Sequence, residues 1–398
     1  MILSPSPNEN TMDKQPTYEE VFTLEHLYES VEKCRKGVRW KGTVQSYVNH
    51  EASKVYQTSV DLKARKVKTG RFFHFSIMER GKVRHIKSVR IDERVVQRCF
   101  CDHCLVPLLT RKFIYDNSAC IKGKGMHFAI RRLKRYLHRY WMKHGNEGYI
   151  LQFDFHHYFE TIPHEKLIEM VAKVLKDKDL CNLYRQLVED FGGDTGLGLG
   201  SQISQISALY YPHRIDERFA YDKEVFAYAR YMDDGYLIAE KKETLVKCLD
   251  VLKTMCAELG IALNEKKTQI RKLGHTFEFL KARVTLHRNG RIVVKPNRKN
   301  VTRNRRKLRK LKALHEIGLV DAESAEMVFK TTLGNFQNFD AFHARRRYNN
   351  LYQELFQGGK RNEIPDNDAI QRGRHLGTVQ YPCGDRSRRK RGQTLHRC

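Results

Sequence analysis

Between Phe226 and Tyr231 an alternating apolar run leads into two adjacent aspartates, Asp233 and Asp234. After Gly235 a second apolar run, Tyr236-Leu-Ile-Ala239, leads away. Alternation at period two marks half-buried strands, and an acidic, glycine-flanked break between two such runs marks a tight turn. The segment therefore reads as a β-hairpin whose tip presents two carboxylates. Holding two like charges together is unfavourable unless positive charge is shared between them, and a divalent cation is the usual source. For Tyr231-Met-Asp-Asp234 alone an ordinary Asp-rich turn competes, so its meaning depends on what accompanies it.

The rest of the composition bears on partners. With 398 residues the chain has room for two or three domains, and 20 Phe and 19 Tyr exclude a disordered protein. Lys and Arg number 74 against 46 Asp and Glu, a formal charge of +28. Self-repulsion on that scale only costs stability unless a polyanion neutralises it, which points to nucleic acid, with an anionic membrane surface as the alternative. No apolar stretch reaches membrane-spanning length, and Met1-Ile-Leu-Ser-Pro-Ser-Pro7 lacks a signal-peptide pattern, so the membrane reading falls behind. Ten scattered cysteines make no disulfide framework and fit a reducing cytoplasm. Cys99-Phe-Cys-Asp-His-Cys104 is cramped for tetrahedral zinc and lies in the amphipathic run Ile91 to Leu109, which favours buried helix cysteines.

Along the chain, residues 1–25 read as a loose polar arm, and 26–68 as helical and basic. Arg71 to Met78 and Val83 to Val89 form a hairpin, with a helix following from Asp92. Met126 to Trp141 keeps one apolar helical face, while Arg131, Arg132, Lys134, Arg135 and Arg139 occupy the rest, a surface suited to phosphates. Before it, Ile121-Lys-Gly-Lys-Gly125 is a basic loop of the phosphate-binding kind. A strand from Tyr149 ends near Asp154, and a helix follows Pro163. Lys242 to Leu259 is a helix stopped by Gly260. A hairpin spans 277–295, with Asn289-Gly290 signalling a type I′ turn. Residues 298–357 are helical, opened by the acid-free run Arg303 to Lys310. From Gly358 the tail is basic and reads as disordered.

Phosphoryl transfer by a metal pair needs carboxylates from more than one strand, and Asp154 with Asp233-Asp234 supplies them. Five segments follow in order: Asp154-Phe-His-His-Tyr-Phe159, Gly196-Leu-Gly-Leu-Gly-Ser-Gln-Ile-Ser-Gln205, Tyr231-Met-Asp-Asp234, Leu263-Asn-Glu-Lys-Lys-Thr268 and Phe277-Glu-Phe-Leu280. This order resembles the palm motifs of reverse transcriptases, and Gly81-Lys-Val-Arg84 through Gln97 resembles their fingers motifs. The resemblance covers roughly residues 35–350. It implies an α+β right-hand polymerase fold: fingers at 26–148, palm at 149–297 with the primer-grip hairpin at 277–295, and a helical thumb at 298–357.

Residue by residue, the likeness implies that Asp154 and Asp233 are the principal ligands of two Mg²⁺ ions, for which Mn²⁺ can substitute, with Asp234 and the Phe155 backbone supporting them. Lys267 would donate a proton to the leaving group. Arg84, Lys122, Lys124, Phe155, Phe159 and Gln205 would bind the dNTP, Phe159 as the aromatic gate against the 2′-OH. Tyr231, Met232, Ser204, Phe279 and Leu280 would contact primer or template. The partners implied are an RNA template, a DNA or RNA primer, a non-coding RNA, and a small accessory protein or a second copy of the chain. Gly-x-x-x-Ser-Gln in place of the more common Pro-Gln-Gly and Ser-Pro forms is similar to reverse transcriptases of diversity-generating retroelements and of bacterial antiviral defence. Glu93 and Val89 depart from the usual Asp and Pro. A scaffold that kept this fold without catalysis is the alternative function. His156 and His157, if in a strand, would face opposite ways and could not share an ion.

Overall fold

In the computed structural model, residues 15–79 and 81–358 are described, and they fall into two units. The first comprises residues up to Val301 together with Asn335–Ala341, and the second Thr302–Gly334 with the chain from Phe342 onward. The second unit thus begins a few residues inside the helix that opens at Arg298. The basic tail expected from Gly358 lies outside the described residues except for Gly358 itself.

The first unit opens with helices α1 (Tyr18–Val21), α2 (Leu24–Arg35), α3 (Gly42–Asn49) and α4 (Glu51–Lys63). The loose arm expected over 1–25 is corrected from residue 15 onward. Thr17 and Glu20 form a reciprocal capping box around α1, and Tyr18, Val21 and Phe22 are buried in the main core. Strands β1 (Phe72–Glu79) and β2 (Lys82–Val89) pair as the expected antiparallel hairpin, followed by α5 (Ile91–Phe100). A π turn over Cys101–Leu105 leads into α6 (Val106–Leu109). Cys99, Cys101 and Cys104 are fully buried there, their thiols pushed up by burial, and the zinc reading has no support among the described residues. Glu93 is buried as well, accepting from the Arg71 backbone (3.2 Å) and from Gln97 (2.9 Å), so it ties the hairpin's root to α5.

Next come α7 (Met126–His144), β3 (Tyr149–Asp154), α8 (Tyr158–Thr161), α9 (His164–Ala172), α10 (Lys178–Glu189), α11 (Gln202–Tyr210) and α12 (His213–Ala220). Then β4 (Ala227–Tyr231), β5 (Asp234–Ala239), α13 (Lys242–Leu259) and β6 (Gln269–Lys272) complete an antiparallel sheet ordered β4-β5-β3-β6. Helix α13 packs on β3 and β5 and ends where Gly260 turns left-handed at φ 71°, as its position predicts. Leu151 and Phe153 of β3 belong to the large core, whereas Ile150 joins a second core with Leu133, Leu137 and Tyr140 of α7. That split follows the period of two along a strand.

A third sheet joins β7 (Phe277–Phe279), β8 (Ala282–Leu286) and β9 (Ile292–Pro296). Its turns differ from expectation. At Asn289-Gly290 only Gly290 has positive φ (79°), and its N–H donates to His287 O at 3.0 Å. That is a type I turn followed by a left-handed glycine, a three-residue loop, because His287 and Arg291 rather than Arg288 and Arg291 close it. The type I′ pattern of two positive φ values falls instead at Leu280 (47°) and Lys281 (66°), between the paired Phe279 and Ala282. Both are non-glycine residues, a strained arrangement of the kind found where chains contact ligands.

The second unit is helical: most of α14 (Arg298–Glu316), α15 (Ala322–Phe336) and α16 (Phe342–Phe356). Phe329 stacks on Tyr352 at 4.0 Å, and Leu308 is fully buried. Among the described residues no helix is long and apolar enough to cross a membrane. Mixed helices and antiparallel sheets followed by a helical unit are the α+β architecture expected.

Candidate active site

The acidic hairpin forms as read. Tyr231 pairs with Asp234 across a two-residue loop, and Met232 carries a positive φ of 60° while Asp233 does not, the φ signs of a type II′ turn. That position normally takes glycine, so Met232 is held there by its surroundings. In register, Asp154 at the end of β3 stands directly opposite Asp234 at the start of β5. The Phe155 N–H donates to the Asp233 carbonyl (3.1 Å), and the Asn264 N–H donates to the Asp154 carbonyl (2.7 Å). Three chain segments are thereby locked around one end of the sheet. Gly235 is required here, since a Cβ would lie 2.2 Å from the Phe153 ring.

Burial and mutual repulsion shape the electrostatics. The Asp234 carboxyl is pushed up to about 7 by burial, by the charges of Asp233 and Asp154, and by a hydrogen bond with Asp154. Asp233 is raised by burial and by the charge of Asp154. Lys267 Nζ lies 2.6 Å from Asp154 Oδ2. Partial burial pulls its pKa down, but the hydrogen bond to Asp154 and the three carboxylates outweigh this and hold it above the ordinary lysine value.

Beneath the turn lies a buried ion pair with no warning in the sequence. Arg230 and Asp216 are both fully buried. Arg230 Nε and Nη2 donate to the two Asp216 carboxylate oxygens at 2.7 and 2.6 Å, and the Tyr228 hydroxyl donates to Asp216 Oδ1 at 2.8 Å. Two further guanidinium donors reach the Leu209 carbonyl (2.8 Å) and, through Nη1, the Met232 carbonyl (2.7 Å). Burial opposes the Arg230 charge, yet Asp216 holds it firmly protonated. Arg230 thus fastens the strained Met232 to α11 and α12. An arginine inside an apolar strand does call for a buried acid, but spacing alone does not single out Asp216.

The remaining expected residues divide. Phe159 is half-buried on α8, and its carbonyl accepts from Leu197 N–H at 2.6 Å, which ties α8 to the Gly196–Gly200 loop. In that loop a Cβ on Gly198 would sit 2.4 Å from the Phe191 ring. Ser204 is buried and Gln205 half-buried on α11, with Ser204 Oγ and Gln205 Oε1 lacking hydrogen-bond partners among the described residues. Tyr231 is half-buried beside the turn. Lys122 is exposed in its loop, and Arg84 is exposed on β2. Lys124 is turned inward: its ammonium donates to the Tyr115 carbonyl (2.6 Å) and lies 4.6 Å from the Tyr115 ring. Phe279 lies on the inner side of its hairpin. It is buried against Tyr236 with ring centroids 5.1 Å apart, so it supports the strained Leu280-Lys281 turn from below. His156 and His157 are also not in a strand. His157 is left-handed (φ 47°), precedes α8 and contacts Glu160 at 2.7 Å, and the two rings are 4.3 Å apart.

A family model described as reverse transcriptase (RNA-dependent DNA polymerase) matches residues 67–284, more than half of the chain. The chain belongs to the reverse transcriptase family. The match contains the β1–β2 hairpin, the carboxylate pair, the Asp233 turn and Lys267. No curated protein sequence matches the chain. Among solved structures, telomerase from Candida albicans in complex with a TWJ fragment of telomeric RNA is similar at 10% identity, with a TM-score of 0.45 over 77% of this chain and 64% of that one. Apo telomerase from Candida tropicalis is similar at 14% identity, with a TM-score of 0.47 over 81% of this chain and 64% of that one. This reverse transcriptase chain therefore spans less than two thirds of those telomerase chains.

Proposed function

We propose that the chain is an RNA-directed DNA polymerase that extends a primer 3′-OH with dNTPs and releases pyrophosphate. The observation that carries this reading is the register of β3 and β5, which sets Asp154 against Asp234 with Lys267 on the Asp154 carboxylate. Two facing carboxylates, one held near neutrality as an acid and the other paired with the Lys267 ammonium, are oxygen donors suited to a divalent cation. Mg²⁺ is usually held by one or two carboxylates and completed by substrate phosphates and water. Asp154 and Asp234, with Asp233 and the Phe155 carbonyl, would hold two such ions, and Mn²⁺ fits the same oxygen donors. When bound, the ions lower the pKa of the 3′-OH and neutralise charge on the triphosphate.

The chain's own groups do the rest. Asp234 gives up its proton as the site fills. Lys267, displaced from Asp154, stays protonated and supplies a proton to the leaving pyrophosphate. Arg84 and Lys122 grip the triphosphate, and Phe159 blocks a 2′-OH by its bulk. Gln205, half-buried on α11, contacts the nascent base pair, and the buried Ser204 supports it from within the helix. Tyr231 and Met232 lie under the primer end, and the Leu280-Lys281 turn holds the primer strand. In this reading 26–148 are fingers, 149–297 palm and 298–357 thumb.

The Gly196–Gln205 segment supports a role in a diversity-generating retroelement or in bacterial antiviral defence, within the cytoplasm and with a non-coding RNA. A variable-repeat target gene beside the coding gene would favour the former. The test of the activity is incorporation of labelled dNTPs on a primed RNA template with and without EDTA. Templated extension abolished by EDTA is expected. Tight RNA binding with no incorporation under any condition would replace this reading with a catalytically silent scaffold.

A further inference from the structure

Helix α7 carries six Lys and Arg residues and no acid. At 100° per residue, Arg131, Arg135, Arg139 and Lys143 form one slowly drifting row, stepping about 6 Å at a time over about 18 Å. All four are exposed, and among the described residues none makes an ion pair, whereas Arg132 is taken by Asp116 (2.9 Å). Like charges four residues apart destabilise a helix. In several helices the chain sets an acid one turn away, as in Lys33–Glu29, Arg185–Glu189, Arg218–Asp222 and Lys330–Glu326, although not in the opening of α14. On α7 it sets none.

The fold extends this surface. The Trp141 indole donates to the Arg288 carbonyl at 3.0 Å, and Gly290 sits so close to the Trp141 ring that a Cβ would be 2.7 Å from it. The β8–β9 turn is thereby pinned to α7, adding exposed Arg288 and Arg291 beside the exposed Lys134 and His138. The C-terminal half of α7 lies at the end of the sheet remote from the carboxylates. His144 is 3.6 Å from Glu240, just beyond Ala239, and Ala239 pairs with Tyr149. Five strand residues, about 17 Å, separate Tyr149 from Asp154.

We propose that the Arg131–Arg135–Arg139–Lys143 row, continued by Lys134, Arg288 and Arg291, docks the phosphate backbone of a folded RNA along α7, on a track that leads away from the catalytic site. A step of one helical turn is close to the separation of successive phosphates along a strand, and the missing acids are replaced by those phosphates. Naming RNA rests on the polymerase reading; the need for a phosphate backbone does not. The row gives the protein a hold on a template-bearing RNA that persists while the primer end moves.

The experiment uses the full-length protein and a labelled, unprimed 60-nucleotide RNA hairpin, with binding followed by anisotropy from 50 to 300 mM KCl. The variant R131A/R135A/R139A/K143A is compared with K173A/K178A/K241A/K247A, which removes the same charge from exposed lysines elsewhere. The row variant should bind at least tenfold more weakly at 100 mM, with the salt slope reduced by about 3, from about 0.7–0.9 per lost phosphate contact. The control should stay within twofold, and so should extension of a short primed template by both variants. Circular dichroism verifies the helix. An unchanged slope in the row variant, an equal loss in the control, or a parallel loss of short-template extension would overturn the proposal. RNA binding through the row by a chain that extends nothing would sink the polymerase reading and leave this one standing.

Discussion

Removing either partner of the Arg230–Asp216 pair should be far more damaging than removing both. Each side chain is fully buried, and Arg230 donates to two Asp216 oxygens and to the Leu209 and Met232 carbonyls. Asp216→Leu leaves a buried guanidinium without its counterion, which costs about 3–5 kcal/mol of stability. Arg230→Met strands the carboxylate at a similar cost. The double variant R230M/D216L exchanges the pair for apolar volume and should recover most of that loss. It cannot restore the donor to Met232 O, a charge-assisted bond that contributes about 1.5–3 kcal/mol. With Met232 at φ 60° no longer fastened, the Asp233–Asp234 turn loosens, and kcat should stay at least tenfold down although the fold is regained. Urea unfolding measures the first effect and single-turnover extension the second. Wild-type stability in D216L, or wild-type kcat in the double variant, would refute the reasoning.

Other consequences are as concrete. The Asp234 carboxyl sits near 7 in the folded chain, above its unfolded value of about 4, so its contribution to stability is present at low pH and lost as pH rises from about 4 through 7. Without divalent cations, Asp234→Asn should therefore match wild type at pH 4.5 and exceed it by about 1–3 kcal/mol at pH 8 in urea unfolding; an equal difference at both pH values would contradict this. Lys267→Met should lower kcat about 10–100-fold with little change in primer–template binding, and Lys267→Arg should recover little of it, because a guanidinium keeps the charge but does not give up its proton. Phe159→Ala should narrow the preference for dNTP over rNTP at least tenfold in competitive incorporation. Gly235→Ala forces a methyl into the Phe153 ring and should cost about 1–3 kcal/mol or more in urea unfolding.

Much of this molecule was legible because local signals and long-range order agreed. Alternation located β4 and β5, the apolar face of α7 located its helix, and Gly260 ended α13. The carboxylate constellation followed from motif order. What escaped was mostly tertiary. The Arg230–Asp216 pair joins residues fourteen apart that no spacing rule connects. Lys124 is chemically apt for phosphate, and its contact with the Tyr115 carbonyl and ring is set by the fold. Phe279 fits a gripping hairpin by position, and packing in an adjacent core places its ring. The α1 segment was legible and overlooked, since its capping box and its apolar Tyr18, Val21 and Phe22 were both present. Asn289-Gly290 promised one turn type and formed another, because a hairpin's register, set by the strands, decides the loop length.

The central claim is that Asp154, Asp234 and Asp233 together make a template-directed nucleotidyl-transfer site. Four RNA templates differing in a single templating base, one annealed primer, and each dNTP offered singly with Mg²⁺ test it most directly. The account predicts that the wild-type chain adds only the complementary deoxynucleotide, and that Asp154→Asn and Asp233→Asn each reduce single-turnover addition at least a thousandfold while still binding the primed template. Addition that ignores the templating base, or that survives loss of either aspartate, would contradict it.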